Sequence, residues 1–160
     1  MAKRYKQKGS RGRAWTPEAL LRREKAIGRN PWGGFNHNNL GCEFARVGYW
    51  IAAVSEFEKA VEINPWQASF KANLARAYLS AGDARKAQQT VEAALQQDPN
   101  LVEGMFAAGL IHEKIGHAGE AIRWYRCCLD SKPSLGTRRE AEESLEWLTQ
   151  EQRQRTSLSR

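Results

Sequence analysis

Apolar residues return along this chain at helical spacing, in short stretches cut by glycine and proline. "NNLGCEFARVG" carries Leu40 and Phe44 on one face and stops at Gly48, a residue suited to end a helix. "WIAAVSEFEKAVEINP" follows with Ala53, Phe57, Ala60 and Val61 on one face. It ends at Pro65, which cannot continue that helix but can open the next. The pattern predicts two amphipathic helices joined by a tight turn. The same alternation recurs downstream, where Asp83 behind Gly82 is placed to cap a second helix.

The recurrence has a fixed period. Prolines stand at Pro31, Pro65, Pro99 and Pro133, each 34 residues from the last, and only Pro17 lies off the series. Gly48, Gly82 and Gly116 keep the same interval, as do Ala19, Ala53, Ala87 and Ala121. A bulky residue follows the alanine by four in three units, at Phe57, Val91 and Tyr125, and a small one comes three later, at Ala60, Ala94 and Cys128. Leu40-Gly41, Leu74-Ala75 and Ala108-Gly109 are in phase, and so are Phe44, Tyr78 and His112. A two-helix unit cannot bury its apolar face alone, so units of this kind stack.

These columns resemble the tetratricopeptide repeat family, whose 34-residue pattern is W-x2-L-G-x2-Y, then A-x3-F, then P. "LGCEF", "AVSEF" and "NPW" carry the resemblance in the first unit, "LARAY", "AQQTV" and "DPN" in the second, "AGLIH", "AIRWY" and "KPS" in the third. The tryptophan column is not kept, since His37, Lys71 and Met105 stand there. The resemblance implies an all-α fold, a right-handed superhelical α-solenoid of antiparallel helix pairs. The expected organisation is a basic leader over 1–15, a degenerate half-repeat helix over 16–33, and three repeats over 34–67, 68–101 and 102–135. A C-terminal capping helix over 136–153 and a short tail over 154–160 complete it. Ala19 and Ala26 keep the register in the half-repeat, where Thr16-Pro17-Glu18 is a fair helix start, but Arg23 replaces the bulky residue. In the last helix Ala141, Leu145 and Leu148 can cover the third repeat while charges face water.

Charge divides the chain. The net charge is +7, but residues 1–31 hold ten Lys/Arg against two Glu, and the remainder holds fifteen against sixteen Asp/Glu. Lys3, Arg4, Lys6, Lys8, Arg11 and Arg13 fall in a leader without an apolar face. Three roles remain open for it: a solubilising tail, an electrostatic contact with RNA, DNA or a ribonucleoprotein, or docking on an acidic protein or anionic membrane surface. Tyr5 and Trp15 could stack on bases. No apolar run is long enough for a membrane helix and no secretory signal stands at the start, so a cytoplasmic protein is expected. Three cysteines, two of them adjacent, make no disulfide framework.

Catalysis is not expected. No phosphate-binding glycine loop or nucleophile motif is present. Cys127-Cys128 lacks metal-ligand spacing, His112 is expected in the core or at a groove edge, and no cofactor or metal is expected. The resemblance instead implies a non-enzymatic adaptor or scaffold whose first helices line a concave groove for a partner peptide or protein segment. The candidate groove residues are Asn38, Asn39, Cys42 and Arg46 in the first unit, Asn73, Arg76 and Ser80 in the second, and Phe106, Leu110, Glu113 and Lys114 in the third. Amides can pair with a peptide backbone, and arginines with carboxylates. The subtype that grips chaperone C-terminal carboxylates is not expected. Of its residues only Asn73 is matched, with Cys42 in place of an Asn and Glu103 and Ala107 in columns that need bases.

Overall fold

The structure, a computed structural model, describes residues 33–158. The basic leader, including Lys3, Arg4, Lys6, Lys8, Arg11 and Arg13, and the half-repeat helix expected upstream of Gly33 lie outside the described residues. Within them the chain forms seven helices and no strand: α1 (Gly34–Arg46), α2 (Trp50–Ile63), α3 (Ala68–Ala81), α4 (Ala84–Gln97), α5 (Val102–Lys114), α6 (Ala118–Asp130) and α7 (Leu135–Leu158). The first six form three helix pairs, and α7 runs to Leu158.

The glycine column makes the turn inside each pair. Gly48, Gly82 and Gly116 take φ of 85°, 94° and 84°, a region that a Cβ disfavours. The following N–H, of Tyr49, Asp83 or His117, then reaches back to the carbonyl of Phe44, Tyr78 or His112 at 2.8–2.9 Å. That bond satisfies a carbonyl the helix end leaves open. Asp83 also caps α4, its side chain accepting from the Lys86 N–H at 3.0 Å.

Small and large residues fit one another across each pair. A Cβ on Gly41 would lie 2.7 Å from the Phe57 ring, and one on Gly109 would lie 2.6 Å from the Tyr125 ring. Both rings are buried. In the middle repeat the pair is Ala75 and Val91, a larger small residue with a smaller large one, both in one buried cluster.

Where the family pattern has tryptophan, other contacts join first helix to second. His37 Nδ1 lies 2.7 Å from Glu56 Oε2, both side chains being buried, and Lys59 Nζ donates to Glu56 Oε1 at 2.6 Å. Lys71 Nζ donates to Gln97 at 2.7 Å, and the Ser131 hydroxyl sits 3.6 Å from the Met105 sulfur. The last two contacts join equivalent positions one period apart.

The pairs stack in sequence and the stack curves. Helices α1, α3 and α5 touch along one side, whereas no comparable contact joins α2 to α4 or α4 to α6. First helices therefore crowd the inner side and second helices splay on the outer. At the far end Ala141 and Leu148, both buried, and half-buried Leu145 cover the cluster of Met105, Phe106, Ile122, Tyr125 and Cys128. The outer face of α7 carries exposed ion pairs, Arg138–Glu142 and Arg139–Glu143.

Candidate groove between the first two repeats

The inner face of α1 follows from its core face. With Leu40 and Gly41 turned into the pair, residues three to four apart on the other side, Asn38, Cys42 and Arg46, point away from it. On α3 the corresponding face carries Asn73, Arg76 and Ser80. The inward curvature brings the two faces together. Asn73 Nδ2 donates to Asn38 Oδ1 at 2.9 Å, a side-chain bond across the repeat seam. Beside it opens a cavity of about 280 Å³.

Five expected residues line that cavity: Cys42, Arg46, Asn73, Arg76 and Ser80. Asn39 is exposed on α1 outside the lining. The third repeat contributes nothing to this cavity. Phe106 is only 3% exposed and Leu110 is half-buried against the same core cluster, while Lys114 is exposed. Phe106 instead acts from beneath, its ring lying 5.6 Å from the Arg76 guanidinium, within cation–π range. Glu113 accepts the Tyr125 hydroxyl at 2.7 Å.

Four further lining residues are Ala45, Trp50, Phe57 and Ala77. Trp50 matters most. It is the first residue of α2, and the equivalent positions one and two periods on are Ala84 and Ala118. A tryptophan that breaks a small-residue column was the available signal. A search confined to first helices passes over it.

The two arginines differ. Arg46 Nη2 donates to Glu43 at 2.7 Å on its own helix. Arg76 takes part in none of the ion pairs among the described residues. No carboxylate lines the cavity. Desolvation raises the Cys42 thiol above its usual pKa; Arg76 pulls it down and Glu43 pushes it up. The thiol is therefore neutral at physiological pH, a weak hydrogen-bonding group rather than a nucleophile.

The remaining candidates stand elsewhere. Cys127 is exposed and Cys128 is buried, its pKa pushed up to about 11 by burial, with Glu103 adding and Arg138 opposing. Cys128 fills the small-residue position against α7. Among the described residues no group of three or more His, Cys, Asp or Glu could hold a metal ion, and no helix is long and apolar enough to cross a membrane. His112 is half-buried beside His117, ring centroids 5.9 Å apart, and its buried Nδ1 has no hydrogen-bond partner.

Comparison with known proteins bears on fold and family. A family model described as tetratricopeptide repeat matches residues 50–105. Intraflagellar transport protein 70B of Rattus norvegicus is 31% identical over 98 residues, which cover 59% of this chain and 14% of that protein. The chain thus spans a small part of that relative's length. Among solved structures, the first TPR of Spaghetti (RPAP3) bound to HSP90 peptide SRMEEVD superposes with a TM-score of 0.64 at 17% identity, covering 73% of this chain and 90% of that one. The Arabidopsis OM64 TPR domain gives 0.63 at 23% identity, over 72% of this chain and 93% of that one. MamA gives 0.64 at 17% identity, over 87% and 90%. At these identities the structural likeness is one of fold.

Proposed function

We propose, from the premise that this chain is a tetratricopeptide repeat protein, that it works as an interaction module whose inner face binds a segment of a partner protein. One observation carries the reading most: Cys42, Arg46, Asn73, Arg76 and Ser80, chosen by repeat position, line a common cavity. The Asn38–Asn73 bond supports it further, because it fixes two amides at the seam while leaving Asn73 Oδ1 as an acceptor for a peptide N–H. The cavity lies just below the roughly 300–1,000 Å³ of small-molecule and cofactor sites, which suits one or two side chains of a peptide better.

The test compares the wild type with an Asn39→Ala/Asn73→Ala/Arg76→Ala variant. Partners captured by the full-length protein are identified by mass spectrometry, and the direct ones are measured with purified components. Loss of affinity on the order of tenfold or more is expected, since charge-assisted and amide bonds are removed together. Equal binding of every direct partner by the variant refutes the site.

A further inference from the structure

The cavity is divided in its chemistry. Its lining combines apolar Trp50 and Phe57 from α2 with polar Asn73, Arg76 and Ser80 from α3. Its charge runs against that of the body. Residues 33–158 carry fourteen Lys/Arg and sixteen Asp/Glu, yet the lining holds two arginines and no acid. A guanidinium outside the ion pairs of the described residues, in a cavity it shares with Trp50 and Phe57, is complementary to an anion joined to an apolar group. The Phe106 ring under Arg76 restrains the side chain without neutralising it, so less freedom is lost on binding. Neutral Cys42 adds no negative charge to the site.

Which anion follows from counting. Arg46 is engaged by Glu43, so one guanidinium is left with its fork open. One planar fork carries a single positive charge, which a carboxylate balances one for one in bidentate geometry; a phosphate fits the same fork but brings a second negative charge that Arg76 alone leaves unbalanced. Resting on the groove reading above, we propose that the cavity between the first two repeats selects a peptide segment in which an Asp or Glu stands beside a large apolar residue. The carboxylate meets Arg76, a backbone N–H meets Asn73 Oδ1, and the apolar side chain lies on Trp50 over the Phe57 floor.

A phage-displayed random dodecapeptide library selected on the full-length protein tests this. Parallel selections use Arg76→Gln and Trp50→Ala, with circular dichroism showing that each variant keeps its helix content. Peptides enriched on the wild type should carry Asp or Glu within two residues of Phe, Trp, Leu or Met. Arg76→Gln should lose the acidic preference and keep the apolar one. For an enriched peptide made synthetically, replacing its acid with the amide should raise Kd on the order of tenfold to a hundredfold on wild type, and change little on Arg76→Gln. Enrichment that depends on Trp50 but shows no acid overturns the proposal and leaves the groove reading standing. So does tighter binding when phosphoserine replaces the acid. A library with no enrichment sensitive to Trp50 or Arg76 sinks both.

Discussion

At the residue scale the repeat is a set of size agreements. Gly41 faces Phe57, Gly109 faces Tyr125, and Ala75 faces Val91. Gly41→Ala would gain about 1 kcal/mol of helix propensity. It would also press a methyl to 2.7 Å of the buried Phe57 ring, so the ring or one of the two helices would have to shift. Overpacking of this kind costs about 1–3 kcal/mol, so net destabilisation is expected in urea unfolding. In a Phe57→Val background the same change should turn neutral or stabilising, because the pair then copies Ala75 and Val91. The pattern was legible because size is written directly in residue type. His112 was less so: its column predicts an aromatic packer and its name suggests a base. The structure gives it neither a hydrogen bond to Nδ1 nor a catalytic neighbour. Burial lowers its pKa and His117 adds to that, while Glu120 and Glu92 oppose it. The unfolded chain therefore binds a proton at its ordinary pKa when the folded chain does not. Stability from this residue is complete above about pH 6.5 and falls as the pH drops below it. Tyr78, one period earlier, donates its hydroxyl to Glu58 at 2.5 Å, and Glu92 is the equivalent of Glu58. His112→Tyr should thus raise the urea midpoint at pH 7 and flatten its decline between pH 7 and 5.5. An unchanged pH slope would remove the assignment.

At the element scale the helices and turns follow from proline, glycine and apolar spacing, all of them local signals. The ties that replace the tryptophan column do not, because each joins residues 19 or 26 apart whose partnership no spacing rule names. His37 and Lys71 read as losses from the family pattern and turn out to reach across to the second helix. Glu56 is the centre of the first tie, placed between His37 and Lys59. Glu56→Ala should cost about 1–3 kcal/mol, the range for removing one member of a buried polar pair, measured by chemical unfolding. Trp50 was missed for a related reason: the groove was sought on first helices, but a curved stack lets the start of a second helix reach the inner side. The capping helix carries an element-scale cost of its own. Leu148 is 2% exposed in the cluster that holds Phe106 and Tyr125, so Leu148→Ala should cost about 2–5 kcal/mol. A substitution of Trp147, which is 39% exposed on the next position of α7, should cost much less.

At the scale of the whole molecule, charge divides the sequence between a basic leader and a slightly acidic repeat body. The repeat body is slightly acidic, with sixteen Asp/Glu against fourteen Lys/Arg over 33–158, and its inner cavity is lined by two arginines and no acid. A polyanion such as duplex DNA meets net repulsion from that body and attraction from the six Lys/Arg of residues 1–13. Contact with about four phosphates predicts that affinity for a duplex falls on the order of a hundredfold between 50 and 200 mM salt. If the groove acts through Trp50, Asn73 and Arg76, deleting residues 1–13 should abolish duplex binding while leaving the Kd of a groove-selected peptide unchanged. The reverse variant, Arg76→Gln, should weaken the peptide and leave the salt slope for duplex alone. Duplex binding that survives the deletion would put phosphate contacts downstream of residue 13, on Arg22, Arg23, Lys25 and Arg29 or on the repeats, and a peptide affinity that drops with it would mean the leader and the groove form one surface. Fluorescence anisotropy with both probes on the same two variants separates these outcomes.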